Sequence, residues 1–367
     1  MLSKEDYVLP EMHIHPENRL WIYGTGEIAR SYYEQIGFQY GEHIVKGFIN
    51  ALGQPATFMG KRVVGLSEKL EIENHDRFLV ATRYSTDIAV ATLLYYYDVP
   101  REHIICHPDW IVSPSPGRQP VLIHQFGKVG STSIYRELRR LNLEVFHSHF
   151  LQDQNLDKWI RNIQDAGAGI NFFVLNNLCL GKWALRRKWD IISGVRDPIS
   201  RNISWFFENL YYIIPDYQQH LNKMDPDRLA DRWAEFFIRE FPHEEVLNWF
   251  DMEMRDTFGI DVFAHPFDRS KGYGVYEGNG HRLLVLQFEQ LQNLAGVIRD
   301  FLRLPEFRLN RENVGESKDY GNVYKRFIER IRFDDALLDR MYNNRFAKHF
   351  YTDEAIEAFR RRWSKKT

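Results

Sequence analysis

Val121-Leu122-Ile123-His124-Gln125-Phe126-Gly127-Lys128-Val129-Gly130-Ser131-Thr132-Ser133-Ile134 is the stretch on which the fold turns. An apolar run of strand length leads into a glycine-bearing loop, and apolar residues then recur at Ile134, Leu138 and Leu141 with helical spacing. A helix start after such a loop offers unpaired N–H groups and a partial positive charge, and Gly130 lets an oxyanion approach the backbone closely. Ser131, Thr132 and Ser133 add hydroxyl donors at the same place. The competing reading is that Ser131 only caps the helix. A Walker A loop is not present, because Lys128 precedes Gly130 and no Gly-Lys-Ser/Thr order follows, which disfavours a nucleoside triphosphatase.

A second element lies downstream in Asp190-Ile191-Ile192-Ser193-Gly194-Val195-Arg196-Asp197-Pro198-Ile199-Ser200-Arg201-Asn202-Ile203-Ser204. A strand is expected to end at Arg196, and Pro198 suits the first turn of a helix whose apolar face runs through Ile199, Ile203, Phe206 and Leu210. Arg201 and Ser204 share a face of that helix while Arg196 sits at its mouth. Guanidinium and hydroxyl groups placed so are expected to converge on one phosphate.

The two elements together resemble the sulfotransferases that use 3′-phosphoadenosine-5′-phosphosulfate. Lys128-Val129-Gly130-Ser131-Thr132-Ser133 looks like their 5′-phosphosulfate loop, and Arg196-Asp197-Pro198 through Arg201 to Ser204 looks like their 3′-phosphate motif. The C-terminal stretch, with Asn313, Lys318, Tyr320, Tyr324, then Lys348-His349-Phe350-Tyr351 and Trp363, further resembles a bacterial family described as capsular polysaccharide synthesis proteins. The resemblance covers roughly residues 120–367 and is least typical over 211–280. It implies transfer of a sulfuryl group to a hydroxyl of a capsular or other surface glycan or its precursor, with Lys128 near the bridging oxygen of the leaving bisphosphate. Lys318 matches a region that in relatives closes over the nucleotide, against a solvent-facing lysine in a polar loop, and Glu289, after the expected strand at 283–288, resembles the acidic residue after the last core strand of these enzymes, where it either orients the base or an arginine or is a solvated or capping Glu.

The acceptor hydroxyl needs a general base. Val145-Phe146-His147-Ser148-His149 supplies two imidazoles on one face of a strand, and His149 is preferred because it lies nearer the strand's carboxyl end; the competing reading is that one or both are satisfied structural residues or a chance metal-like pair. No third ligand accompanies the pair and sulfuryl transfer of this kind needs no metal, so none is expected. Arg360-Arg361-Arg362 with Lys365 and Lys366 either attracts an acidic glycan or is a solvated helix face.

Upstream, Leu20-Trp21-Ile22-Tyr23 reads as a strand, Gly24-Thr25-Gly26 as a tight turn, and Ile28, Ala29, Tyr32 and Tyr33 as a helix. Further strands are expected at 44–49, 78–81 and 103–106, with a helix over 87–97. The pattern is a shortened dinucleotide fingerprint; a lone Gly-x-Gly reads first as a structural or assembly element, and Gly24 and Gly26 are the residues that would meet a ligand if the domain binds one. Asn50 stands where the fingerprint wants an acid for the ribose hydroxyls, so NAD is not favoured. The segment Ser113-Pro114-Ser115-Pro116-Gly117-Arg118-Gln119-Pro120 denies the backbone helix and ladder bonds. The expected organisation is α/β: a small Rossmann-like parallel sheet over 1–112, a linker over 113–120, and a P-loop-like sulfotransferase domain over 121–367 with strands at 120–124, 143–146, 171–175, 190–195 and 283–288 and a helical C-terminal cap.

The wider composition agrees with this division. The 367 residues correspond to roughly 2.4 domains at about 150 residues each. With 48 basic against 50 acidic residues the net charge is −2, which gives no field for steering onto nucleic acid, so any anion site has to be local. Only Cys106 and Cys179 are present, too few for a disulfide framework, and both are expected to be buried small apolar residues. No apolar leader and no spanning run of about 18 residues is seen, so a soluble cytoplasmic protein is expected. The partners expected are a glycan acceptor, and either further copies of the chain or the polysaccharide-synthesis machinery. The rival readings are a nucleotide kinase or other phosphoryl transferase using the same loop, and a nucleotide-binding scaffold without turnover.

Overall fold

The computed structural model describes residues 3–10, 14–110, 118–310 and 319–365. It is an α/β protein that divides into two compact units, Met1–Ser115 with Ile170–Arg187, and Pro116–Gly169 with Lys188–Thr367. Residues 113–117 of the expected linker lie outside the described residues.

In the first unit, β1 (Arg19–Tyr23), α1 (Glu27–Tyr40), β2 (Val45–Ile49), β3 (Thr57–Phe58), β4 (Lys61–Val64), β5 (Asp76–Val80), α2 (Thr86–Tyr95) and β6 (Ile104–Ile105) follow in order. The sheet runs β3-β4-β2-β1-β5-β6, parallel except for the β3–β4 hairpin. That hairpin escaped the sequence reading. Its turn, Met59-Gly60, has both residues at positive φ, and so short a strand shows no alternation. Leu20, Ile22, Phe48 and Leu79 from the strands bury against Tyr32 and Ile36 of α1. Cys106 is only partly buried, unlike Cys179.

The expected strand at 171–175 is instead a helix, Phe172–Trp183, and it packs within the first unit. Its Trp183 indole donates to Thr92 Oγ1 of α2 at 3.2 Å, and its Cys179 Sγ lies 3.4 Å from the Tyr23 hydroxyl. The run Phe172-Phe173-Val174-Leu175 is apolar on every side, so periodicity could not separate helix from strand. The decisive signal was Asn171, whose side chain caps the helix by accepting from the Val174 N–H at 3.1 Å.

The second unit holds β7 (Val121–His124), α3 (Ser131–Arg140), β8 (Val145–Ser148), α4 (Asp153–Asp165), β9 (Asp190–Val195), β10 (Tyr273–Gly278) and β11 (His281–Gln287). Its sheet is ordered β10-β11-β9-β7-β8, with β10 the antiparallel edge. The β10 strand was not foreseen, although Asn279-Gly280 between two β runs is a hairpin signal. A helix at Pro198–Glu208 follows β9, and the remaining described chain is mainly helical, with Trp233, Trp249 and Trp363 fully buried. Among the described residues no helix is long and apolar enough to cross a membrane.

Candidate functional site

The loop between β7 and α3 is built from unusual backbone. Gly127, Lys128 and Gly130 all have positive φ, at 83°, 65° and 84°. Glycine is required at two of these places for space as well: a Cβ on Gly127 would come within 2.5 Å of the Trp205 ring, and one on Gly130 within 2.5 Å of Leu291. Lys128 holds the same region without that freedom, so the surroundings have to impose it.

Two guanidinium groups supply the constraint. Arg201, 2% exposed, donates from Nη2 to the Phe126 carbonyl and from Nε to the Gly127 carbonyl at 3.3 Å. Its plane lies 3.8 Å from the Phe126 ring centre and 4.5 Å from that of Trp205. Arg196 donates to the Lys128 carbonyl at 3.1 Å and lies over the Phe288 ring. Three successive carbonyls are thus turned toward cations. Because a trans peptide sets its C=O and N–H on opposite sides, the amides of Lys128 and Val129 point the other way, beside the start of α3. Amides gathered at a helix N-terminus form a concavity suited to an oxyanion. Burial pushes the Arg201 guanidinium down to about 9, with the Arg196 charge adding to the effect and the Glu245 carboxylate opposing it.

Gln125, fully buried and missed by the sequence reading, organises the wall beside this loop. Its Oε1 accepts from the Gly127 N–H, which leaves Nε2 facing Ser131 Oγ at 2.7 Å, His147 Nε2 at 3.2 Å and His149 Nδ1 at 3.3 Å. The two expected imidazoles are therefore brought together, with ring centres 5.4 Å apart. Desolvation pushes His147 down to about 3, with the His124 imidazole adding to the effect, and holds His149 well below the usual histidine value. Both rings are neutral at neutral pH. His149 packs beside Trp159 and Trp205, and its carbonyl accepts from the Trp249 indole at 2.9 Å. Behind them, buried His124 bonds Ser148 Oγ at 2.8 Å through Nδ1 and lies 3.3 Å from Glu253 Oε2 through Nε2. Glu253 also accepts from the Leu151 N–H and the Asn155 amide, which fastens the end of β8 to the start of α4.

The other expected residues fall into three groups. Lys128 Nζ pairs with Glu208 Oε2 at 3.2 Å, and Ser131, Thr132 and Ser133 form the first turn of α3. Ser204 lies one turn beyond Arg201 and bonds neither guanidinium among the described residues, while Lys318 and Asn313 lie outside those residues. Glu289 accepts from the Asp197 N–H at 2.8 Å and from the Tyr351 hydroxyl at 3.2 Å. Asp197 in turn caps the Pro198 helix and accepts from the Tyr342 hydroxyl at 2.6 Å and the Trp363 indole at 2.9 Å. Glu289 thus acts on the turn that carries Arg196, and the C-terminal aromatics anchor it.

Each unit also contains a cavity. In the second unit one of about 530 Å³ abuts Phe126, Phe150, Trp159, Arg201 and Trp205, next to His149. In the first unit one of about 490 Å³ is lined by Gly24, Thr25, Gly26 and Asn50. Asn50 is spent internally there: Oδ1 accepts from the Leu52 and Gly53 N–H groups, and Nδ2 donates to Thr25 Oγ1 and the Gln54 carbonyl. It fastens a loop and cannot take the place of the missing acid.

Searches among curated proteins and solved structures found no match to the chain. Residues 222–352 match the model of a family described as "Putative capsular polysaccharide synthesis protein", and that segment contributes Trp249, Glu253, Tyr342 and Tyr351 to the site.

Proposed function

We propose that the chain is a sulfotransferase that moves a sulfuryl group from 3′-phosphoadenosine-5′-phosphosulfate to a hydroxyl of a glycan in capsular or other surface polysaccharide synthesis. The observation that carries the reading is the loop after β7, whose carbonyls are tied back by Arg196 and Arg201 directly before the start of α3, a helix N-terminus of the kind that suits an anion. The family match over 222–352 supports the polysaccharide context.

In the proposed reaction the acceptor oxygen forms a bond to sulfur as the bond from sulfur to the bridging phosphate oxygen breaks, and the electron pair stays with the departing 3′,5′-bisphosphate. Lys128 Nζ, held near the loop by Glu208, offsets the charge that grows on that oxygen. Pre-set amides stabilise the transferring group without reorganising. A neutral imidazole of the His147–His149 pair takes the hydroxyl proton; Gln125 orients both rings.

Titration calorimetry with 3′,5′-bisphosphoadenosine, and with ATP plus magnesium, tests the donor. Binding of the first and transfer of label from the sulfate donor to a glycan are expected. Stabilisation by ATP with magnesium alone would point to the kinase reading and sink this one. Lys128→Ala and His149→Ala are expected to keep bisphosphate affinity within a few-fold while suppressing transfer by about 10²-fold or more. Full transfer in both variants removes the mechanism, and bisphosphate binding without transfer in the parent chain supports the scaffold.

A further inference from the structure

The cavity next to His149 has a lining whose chemistry goes beyond the transfer reaction. Its inner wall is aromatic, with Phe126, Phe150, Trp159 and Trp205 closing on one another at ring-centre distances of 5.5–6.3 Å. Its exposed rim carries Asn162, Asn248 and Glu240, whose side chains bond no other residue among those described. A pyranose has the matching division. Its C–H groups form apolar faces that lie on aromatic rings, and its hydroxyls run around the edge where amides and carboxylates can bridge them.

Charge narrows the choice of sugar. The lining holds two cations and two carboxylates. Lys158 is paired with Glu245, and Arg201 is committed to the loop carbonyls. Glu240 has no cationic partner among the described residues. An anionic ring entering here would meet an uncompensated carboxylate at the rim and find both cations already engaged, which disfavours it against a neutral ring.

We infer that this cavity is the acceptor site, resting on the transfer reading above, and that it takes an uncharged pyranose unit and rejects uronic acids and sugars already sulfated.

Saturation-transfer NMR and calorimetry test this in the presence of 3′,5′-bisphosphoadenosine, with neutral trisaccharides of glucose, galactose and mannose as probes and trigalacturonate as the anionic counterpart. At least one neutral probe is expected to bind, with saturation strongest on ring C–H protons, and at least tenfold more tightly than trigalacturonate. Glu240→Lys, a rim substitution that touches no core residue, is expected to reverse or erase that preference while leaving bisphosphate affinity unchanged. Trp159→Phe should weaken the neutral probe several-fold. Trigalacturonate binding as tightly as the best neutral probe, no neutral probe binding, or a preference unmoved by Glu240→Lys would each overturn the inference. Neutral-sugar binding without bisphosphate binding would leave the sugar site standing and remove the sulfotransferase reading instead.

Discussion

The two units each present a glycine-bearing turn between a strand and a helix, and the turns differ in what surrounds them. In the second unit Gly127 and Gly130 are both forced by positive φ and by neighbouring rings or side chains, and three carbonyls of the loop are held by guanidinium groups. In the Gly24-Thr25-Gly26 turn of the first unit only Gly24 is forced, with φ at 125° and the Ala81 carbonyl 3.0 Å from a would-be Cβ. Gly26 has an ordinary φ of −99°, and a Cβ there would meet nothing within 4 Å. The glycine-bearing turn is therefore a loop locked by guanidinium groups in one unit and an open cavity mouth in the other. What distinguishes them is long-range packing and not the glycines themselves.

Substitution at the glycines breaks the comparison most directly. Gly127→Ala combines a left-handed backbone with overlap on Trp205, and a loss of about 2–5 kcal/mol in unfolding free energy is expected from urea titration. A loss below about 1 kcal/mol would mean that the loop is not locked.

The imidazoles provide the next test, since none lines the first unit's cavity. His147 is pushed below its ordinary value in the folded protein, so above about pH 6.5 neither folded nor unfolded chain binds its proton. As the pH falls from there toward 3 the unfolded chain takes up the proton first, and stability declines by up to about 1.4 kcal/mol per pH unit for each such imidazole. His147→Gln should make the slope shallower between pH 6.5 and 4. Parallel slopes would show that the ring is solvated.

The smallest effect is expected in the first unit. Gly26→Asp places a capping carboxylate at the N-terminus of α1 in open space, and a gain of about 0.5–1 kcal/mol is expected from the same urea titration. A loss of stability would show that Gly26 is as constrained as Gly127.

Local signals were sufficient for much of the architecture. The strands at β1, β2, β5, β7, β8, β9 and β11 and the starts of α1 and α3 lie within two residues of their expected places. Segments without a local contrast went astray: the helix at Phe172–Trp183, whose opening Phe172-Phe173-Val174-Leu175 is uniformly apolar, and the short or edge strands β3 and β10. At the candidate site, the α3 hydroxyls and the two histidines were legible because they sit at a helix start or a strand end, and Lys128 because it lies in the short glycine-bearing loop between such ends. Gln125 was not, because a single amide after a strand has no periodic or motif signature until its partners Gly127, Ser131, His147 and His149 surround it.

By itself the sequence determined the α/β alternation, the strand–loop–helix order at Gly127–Gly130 and the presence of cations near a second helix start, because these depend on contacts within a few residues. Only the tertiary structure decided what those cations do. Arg201 reaches back 75 positions to the Phe126 carbonyl, and Asp197 is held by Tyr342 and Trp363 from 145 and 166 positions away. A buried guanidinium takes whichever acceptors the packed core leaves facing it, and that choice exists only once the sheet has brought distant strand ends together.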